Sequence, residues 1–217
     1  MSTVIGVMDR NSWTARTDVI VVVDTINEAV TWVPRDLYVT RIKNRINTAY
    51  QKGQHHLLIE CLRDLGFHAD HSICLLPEMT ARALADVEVT VPVKKRVAFV
   101  YPATPLTPIH ISSKIIRFEA PSETLRGERI HQWLGARLSK WWQGSDIDRI
   151  RRHPVFVKEL MKTKFDFRKF LTGAISDNME AVVADVSKVK VGWKFIIFDN
   201  VRDATIDGRY ICLLNNG

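Results

Sequence analysis

The sequence predicts an α/β (α+β) fold, in which a mixed central β-sheet is flanked by helices. Short segments with strand-like patterns alternate with longer segments of helical periodicity, and such interleaving is typical of layered α/β and α+β domains. Hydrophobic residues make up 46% of the 217 residues, which is enough for a substantial core. Neither an internal repeat nor a low-complexity linker interrupts the chain, so we expect one compact domain over residues 1–217.

The N-terminal third predicts neighbouring strands. Residues 4–8 form a short apolar run, and the continuous β-branched run of residues 19–23 is typical of a strand buried on both faces. Residues 29–33 are expected to pair with the second strand, because Asn27 lies in a short connection with turn character. A sheet of at least three strands therefore begins at the N-terminus.

Helical and extended segments alternate in the next part of the chain. Residues 46–50 are predicted to be helical, and residues 55–65 place leucine and isoleucine at helical spacing, with Gly66 as the stop. Residues 72–76 predict a strand, and residues 77–84 predict a helix that begins with proline. This alternation supports the layered fold class.

The second half of the chain continues the pattern. Valines at every second position predict a half-buried strand over residues 87–93. Three prolines within residues 101–108 favour a loop, and residues 115–118 predict a strand. The remaining segments are predicted to be helices over residues 125–140, 145–162 and 167–187 and strands over residues 193–198 and 210–214.

The chain is basic, with a formal net charge of +7 and a pI of about 9.5. A basic surplus favours an anionic partner, such as nucleic acid, an anionic membrane surface or a phosphorylated ligand. No recognisable nucleic-acid-binding motif accompanies the charge, so we expect no nucleic acid partner. No apolar run approaches the roughly 18 residues of a membrane span, and no basic leader followed by an apolar stretch opens the sequence.

Cysteines and histidines give no metal signature. No Cys-x-x-Cys pair is present, so the three cysteines are predicted to pack in the core rather than to bind zinc or form a disulfide framework. The paired histidines are predicted to be surface residues. The residues concerned are Cys61, Cys74, Cys212, His55, His56, His68 and His71.

Carboxylates and arginines stand where the first three strands begin or end. Asp9 follows the first strand, Arg16 and Asp18 open the second, and Arg35 follows the third. If these strands are neighbours, the four side chains converge at one end of the sheet. Carboxylates bind Mg²⁺ and arginines clamp phosphate oxygens, so the group suits a magnesium-bound pyrophosphate. The competing interpretation is a set of turn residues joined by surface ion pairs.

A second basic group lies in the predicted helix near residue 150. Arg149 and Arg152 are three residues apart and share one helix face, where they could bind two phosphates. On its own, a solvated basic face explains this pattern equally well.

Six segments, taken in order, resemble the LytR–CpsA–Psr phosphotransferases of the bacterial envelope. Each motif is short, and the specificity comes from their common order over the chain to about Met161. The segments are Gly6-Val7-Met8-Asp9, Arg16-Thr17-Asp18, Val33-Pro34-Arg35-Asp36, Arg45-Ile46-Asn47-Thr48-Ala49-Tyr50 with Gly53, Leu125-Arg126-Gly127-Glu128, and the helix of residues 144–153.

The resemblance implies a fold and an activity. The family has a mixed sheet flanked by helices, with an apolar lipid-binding tunnel. It transfers secondary wall polymers from a polyprenyl (undecaprenyl) pyrophosphate carrier to a hydroxyl of peptidoglycan or another glycan acceptor, and the new bond is a phosphodiester. The resemblance therefore implies a metal-dependent phosphotransferase with Mg²⁺ or Mn²⁺, and a pyrophosphatase side activity is compatible with it. The membrane surface is a further candidate partner.

Roles are implied residue by residue. Asp18, Arg16 and Arg35 correspond to catalytic positions, and Asp9 and Asp18 would hold the metal or orient its ligands. Asp18 is the preferred acceptor for the proton of the acceptor hydroxyl. Substrate binding is implied for Arg45, Asn47, Arg137, Arg149, Arg152 and Asp36.

The chain departs from the family pattern at several positions. Gly135 replaces the first arginine of an Arg-x-Arg pair that ends in Arg137, Arg45 replaces a lysine, and His153 replaces a glutamine. These changes keep open a second hypothesis, a non-catalytic module that binds polyprenyl phosphate or pyrophosphate. The family is extracytoplasmic and membrane-anchored. No leader or anchor precedes residue 1 here, so we expect either a soluble piece of a longer protein or an anchorless relative.

Overall fold

The structure is a computed structural model that describes residues 1–9, 15–104, 110–136, 138–139 and 146–215, with side chains described except at 52–54, 138–139 and 146–150. The chain forms two compact units. The first unit comprises residues 1–82 and 166–217, and the second comprises residues 83–165. The expectation of one domain over residues 1–217 stays a prediction.

The described elements are fifteen short strands, five α-helices and three 3₁₀ segments. The strands are β1 Ser2–Met8, β2 Thr17–Asp24, β3 Ala29–Val33, β4 Tyr38–Val39, β5 Asn44–Arg45, β6 His71–Leu75, β7 Glu88–Pro92, β8 Val97–Pro102, β9 Ser113–Phe118, β10 Ser122–Arg126, β11 Leu138–Ser139, β12 Ile175–Ser176, β13 Lys194–Ile197, β14 Val201–Ile206 and β15 Arg209–Leu214. The α-helices are α1 Ala49–Asp64, α2 Pro77–Ala83, α3 Glu128–Gly135, α4 Asp146–Leu160 and α5 Met179–Val186, and the 3₁₀ segments are Thr40–Ile42, Ile46–Thr48 and Phe167–Leu171.

A six-stranded mixed sheet forms the centre of the first unit, in the order β12-β6-β1-β2-β3-β13. Strand β1 pairs antiparallel with β2 and parallel with β6, while β13 adds to β3 in parallel. The β-branched run in β2 forms the predicted buried strand, with Ile20 fully buried and Val23 only 2% exposed. The predicted pairing of the first three strands is confirmed.

Helices cover both faces of this sheet, as predicted. On one face, Leu58 and Leu62 of α1 pack into a cluster with Val4 of β1. On the other face, Ile73 of β6 packs against Val182 of α5. Side chains alternate between the two faces of a strand, so the apolar residues of each strand serve both layers. The mixed α+β fold class is confirmed.

The second unit combines two small antiparallel sheets with two helices. Strand β7 pairs with β10, and β8 lies between β9 and β11. The predicted alternation of valines is confirmed, because Val89 and Val91 are buried while Glu88 and Thr90 are exposed. An aromatic cluster fills the interior: Phe118 contacts both Phe99 and Trp133 edge to face, with ring centroids 6.1 and 5.0 Å apart.

The helix expected over residues 125–140 is wrong at its start and at its end. Leu125 is fully buried and pairs with Val89 in the β10–β7 ladder, so tertiary burial sets its conformation. Gly127 then takes φ of +51°, which separates the strand from α3. Helix α3 ends at Gly135, and residues 138–139 form β11.

The helix expected over residues 167–187 is also wrong. A 3₁₀ segment over Phe167–Leu171 is followed by Gly173 with φ of +78°, and β12 then pairs with β6. Helix α5 begins only after Asn178, whose side chain accepts a hydrogen bond from the Ala181 N–H at 3.1 Å. The Asn178 cap was the signal in the sequence that marked this later start.

Four strands were missed, β4, β5, β8 and β14, besides β10, β11 and β12, which overlap segments expected to be helical. Strand β14 forms a hairpin with β15 through Asp207 and Gly208, which have φ of +50° and +72°. An Asp-Gly pair is a strong signal for such a two-residue hairpin turn, so this strand was predictable.

Cysteine packing is as expected, since Cys61, Cys74 and Cys212 are free and buried. Within the described part of the chain, none of the helices combines the length and the apolar character that crossing a membrane requires. The apolar tunnel stays a prediction.

Candidate functional site

Two backbone and side-chain contacts join the end of β1 to the start of β2. The Asp9 N–H donates to the Arg16 carbonyl at 2.8 Å, and the Asp9 carboxylate accepts the Arg16 N–H at 2.9 Å. The main chain of Arg16 is therefore fixed beside Asp9, while Arg16 as a whole is exposed to solvent. The structure brings these two predicted site residues together at one edge of the sheet.

Asp18 occupies an irregularity in the same hairpin. Val7 pairs with Val19 and Met8 pairs with Thr17, so Asp18 is the additional residue of a β-bulge. Bulges redirect a side chain at the end of a strand. Here the Asp18 carboxylate forms an ion pair with the guanidinium of Arg35, which follows β3.

The ion pair continues through two further residues. The Nε of Arg35 lies 3.5 Å from the Asp36 carboxylate, and Arg45 Nη1 donates to the other Asp36 oxygen at 2.9 Å. Arg35 is only 8% exposed and Asp36 only 2%. The order Asp18–Arg35–Asp36–Arg45 alternates in charge, and below it is called the ion chain. Because the charges alternate, each charged group lies beside one of opposite sign. This offsets the unfavourable free energy of burying charged groups.

Main-chain hydrogen bonds hold the ion chain to the segment before α1. The Asn47 N–H donates to the Arg35 carbonyl at 3.1 Å, and the Ile46 N–H donates to the Leu37 carbonyl at 2.8 Å. Asn47 is 1% exposed, and its side-chain Oδ1 has no hydrogen-bond partner within the described residues. A buried polar atom of this kind is normally satisfied by water or a ligand.

The carboxylates fit a magnesium ion in their chemistry. Mg²⁺ in phosphoryl-transfer sites usually takes one or two carboxylates and completes its shell with water and phosphate oxygens. Asp9 and Asp18 come from adjoining strand ends, and the Asp18 side chain retains 17% exposure. Over the described ranges, no group of three or more His, Cys, Asp or Glu residues is arranged to hold a metal by itself. A metal here would therefore depend on the substrate for further ligands.

Arg152 of the second unit has a well-defined local role. Its Nε donates to the Trp133 carbonyl at 2.9 Å and its Nη2 donates to the Ala136 carbonyl, and its guanidinium lies 4.4 Å from the centroid of Phe99. The side chain thus satisfies carbonyls at the end of α3, which have no partner within the helix. Substrate binding by Arg152 stays a prediction.

Two other predicted residues cannot be placed. Arg137 and the side chain of Arg149 lie outside the described residues. His153, in the next position after Arg152, is 4% exposed and its Nε2 is hydrogen-bonded to the Leu134 carbonyl at 2.9 Å.

A polar cluster between α1 and β6 was not anticipated. His55 Nδ1 and Ser72 Oγ are hydrogen-bonded at 2.6 Å, and the Tyr50 ring lies edge-on to His55 at 5.2 Å. Burial lowers the pKa of His55 and raises the pKa of Tyr50 to about 12. The expectation of a surface histidine is wrong for His55, because it lies on the same helix face as Leu58 and Leu62; this shared spacing was the available signal.

Comparison with known proteins gives a family and a fold. The model of the LytR_cpsA_psr family matches residues 3–190. None of the curated proteins searched matches the chain.

Solved structures of similar fold cover nearly the whole chain. TagV of B. subtilis is 16% identical with a TM-score of 0.65, and the alignment covers 99% of this chain and 91% of TagV. The structure of TagT bound to LI-WTA is 15% identical with a TM-score of 0.61, covering 99% and 84%. Protein gbs0355 from Streptococcus agalactiae is 16% identical with a TM-score of 0.65, covering 99% and 82%.

Proposed function

This chain belongs to the LytR_cpsA_psr family, and from that premise we propose that it transfers a glycan phosphate from a polyprenyl pyrophosphate carrier to an acceptor hydroxyl. The donor is a lipid-linked glycan, and the acceptor is peptidoglycan or another glycan. TagT, a protein of similar fold, is known bound to LI-WTA. We place the lipid in an apolar tunnel and the reaction at a membrane surface, in keeping with the extracytoplasmic location expected from the family resemblance.

The observation that carries the proposal is the ion chain beside Asp9 and Arg16. Arg35 follows β3 and Arg45 is the last residue of β5, and both guanidinium groups are paired with carboxylates, so their donor groups are fixed before a ligand arrives. Planar guanidinium groups present paired N–H donors that match phosphate oxygens. Donors fixed in advance stabilise developing negative charge without reorganisation.

In the proposed reaction, the acceptor hydroxyl oxygen attacks the phosphorus that carries the glycan. The bond from this phosphorus to the bridging oxygen of the pyrophosphate breaks, and polyprenyl phosphate leaves with the electron pair. Arg16 and Arg35 bind the phosphate oxygens on which negative charge accumulates, and Asp18 accepts the hydroxyl proton. Arg45, Asn47 and Asp36 bind or orient the substrate, and substrate binding is likewise proposed for Arg137, Arg149 and Arg152.

A bound Mg²⁺ or Mn²⁺ would supply further neutralisation of phosphate charge. Asp9 and Asp18 are the residues proposed to hold it. Hard divalent cations of this kind prefer carboxylate oxygen ligands.

The decisive experiment is a turnover assay. The purified protein is mixed with a polyprenyl-pyrophosphate-linked glycan, a glycan acceptor and Mg²⁺, and the release of polyprenyl monophosphate is followed by mass spectrometry. Arg35→Ala should lower the rate on the order of a hundredfold, since one fixed donor is lost. Arg41→Ala is the matched control, because Arg41 is an exposed arginine paired with Asp64.

The products separate three possibilities: a transferase, a pyrophosphatase and a non-catalytic binding module. Formation of the phosphodiester product supports the transferase. Release of polyprenyl monophosphate and of a free glycan phosphate without transfer would indicate a pyrophosphatase. Tight binding of the lipid pyrophosphate without any product would contradict the proposal and favour the non-catalytic binding module.

A further inference from the structure

Three successive carbonyls around Asp36 are held from two sides. The segment before α1 holds the carbonyls of Arg35 and Leu37, through the N–H groups of Asn47 and Ile46. The carbonyl of Asp36 points the other way and accepts the Cys212 N–H at 2.9 Å. Asp36 lies in a turn that the Leu37 N–H closes on the Pro34 carbonyl at 3.2 Å, so the Asp36 carbonyl takes its partner from outside this turn.

That partner is β15, which lies outside the 3–190 match to the family model. Leu37 and Cys212 form a parallel bridge, and Cys212 is only 6% exposed. Its apolar surroundings include Leu37, Val39 and Ile46, the residues that flank the ion chain in sequence. The contact is therefore a packed one and excludes water from the Asp36–Cys212 hydrogen bond.

We propose that β15 is a positioning element for the site. The main-chain N–H of Cys212 fixes the main chain of Asp36, so that the two oxygens of the Asp36 carboxylate pair with Arg35 and Arg45 in a defined geometry. The expected effect of this positioning on turnover rests on the proposed function. The expected effect on the geometry of the ion pairs does not depend on that function. Cys212 is a positioning residue, because it contacts Asp36 rather than the substrate.

The physical reason is that Asp36 holds both arginines through one short side chain. Its two carboxylate oxygens lie 3.5 Å from Arg35 Nε and 2.9 Å from Arg45 Nη1. A short side chain transmits a main-chain displacement directly to its carboxylate. A misplacement on the order of 1 Å can cost about a hundredfold in rate where reaction depends on alignment.

A matched pair of variants removes the N–H or keeps it. Cys212→Pro loses both the thiol and the N–H, whereas Cys212→Ala loses only the thiol. The N–H of Cys212 is directed to Asp36 and not to β14, so proline removes no hydrogen bond of the β14–β15 ladder. Circular dichroism and thermal unfolding establish that both variants are folded.

The first readout needs no activity. The Nε–Hε signal of Arg45 is followed by ¹H–¹⁵N NMR and assigned with Arg45→Lys. We expect the signal of Cys212→Ala to match that of the parent, and the signal of Cys212→Pro to shift and exchange faster with water. An unchanged signal in Cys212→Pro, or equal changes in both variants, would overturn the proposal.

The second readout is the division between kcat and KM. In Cys212→Pro we expect kcat to fall roughly tenfold to a hundredfold with KM within about twofold, and Cys212→Ala to remain within about twofold of the parent. Equal kcat in the two variants overturns the positioning role. If the parent itself has no turnover, the proposed function fails, while the Arg45 signal still decides the positioning role.

A second pair decides the question if Cys212→Pro does not fold. Ile211→Ala loosens β15 at a residue 3% exposed, and Ile73→Ala makes the same change at a fully buried residue of β6. A larger change of the Arg45 signal in Ile211→Ala supports the proposal, and equal changes overturn it.

Discussion

At the scale of single residues, the ion chain contributes both to the stability of the fold and to the candidate functional site. Arg35 lies between the carboxylates of Asp18 and Asp36, and little of its surface reaches solvent. Burying charges is unfavourable unless each is compensated, so the chain tolerates these residues only as a set. The same arginine that is proposed to bind phosphate therefore also stabilises the folded state.

We expect Arg35→Ala to lower the free energy of unfolding by about 3 kcal/mol, because it removes a largely buried partner of the Asp18 and Asp36 carboxylates. Urea denaturation at pH 7 measures the change. Arg41→Ala should cost under about 1 kcal/mol, since the Arg41–Asp64 pair is exposed to solvent. Equal losses in the two variants would show that the buried ion chain contributes no more than a surface pair.

Gly135 is the sharpest departure from the family pattern, and its surroundings can be tested with a methyl group. A Cβ at this position would lie 3.6 Å from the Tyr101 hydroxyl oxygen and 3.7 Å from the ring carbon Cε2, which are ordinary contacts. Gly135→Ala should therefore raise the free energy of unfolding by about 0.5 kcal/mol, because alanine restricts the unfolded chain. Thermal unfolding checks this, and a lowered midpoint would mean that the space beside Tyr101 cannot accept a methyl.

At the scale of elements, the contact of α1 with β6 should make stability depend on pH. Burial lowers the pKa of His55 below its usual 6.5. As pH falls below about 6.5 the unfolded chain takes up a proton that the folded state refuses, so the stability contribution present above this pH is lost on acidification. The loss levels off once the pH is below the lowered pKa.

His55→Gln should flatten the stability curve between pH 7 and pH 5, measured by urea denaturation at several pH values. His56→Gln is the neighbouring control, because the His56 side chain is 83% exposed. A slope that persists in His55→Gln and disappears in His56→Gln would contradict this assignment.

Periodicity predicted elements wherever one pattern dominated. The valine alternation and the strands of residues 4–8 and 19–23 were predicted correctly, because burial of a strand produces a regular pattern of hydrophobic residues in the sequence. Residues 125–126 and 175–176 were misread as helix because they are strands whose partners, β7 and β6, are distant in sequence. Local helix propensity is weak enough for such pairing to override it.

At the scale of the whole molecule, charge is divided unequally along the sequence. Residues 83–165 contain fifteen Lys and Arg and eight Asp and Glu, which equals the entire net charge of +7. The remaining residues are balanced, and the ion chain belongs to them. The basic surplus that favours an anionic partner therefore lies in the second unit, which also contains Arg149 and Arg152.

Metal and ligand should stabilise the protein together. We expect Mg²⁺ alone to shift the unfolding midpoint little, and Mg²⁺ with a polyprenyl pyrophosphate to raise it, because a ligand that binds only the folded state stabilises by mass action. In Asp18→Ala the Mg²⁺-dependent part of this shift should disappear. Thermal unfolding with and without EDTA measures it, and an unchanged dependence in Asp18→Ala would exclude Asp18 from the metal site.

The sequence by itself determined the fold class, the order of the first three strands and the family resemblance that the 3–190 match confirms. These follow from local patterns and motif order, which need no knowledge of distant contacts. Only the tertiary structure decided that Asp36 is shared by Arg35 and Arg45, that Arg152 satisfies carbonyls of α3, and that Cys212 reaches Asp36. Apart from Arg35 and Asp36, which are neighbours in the chain, these contacts join residues of different elements, and the direction of a hydrogen bond between them depends on how strands and helices pack rather than on any local spacing.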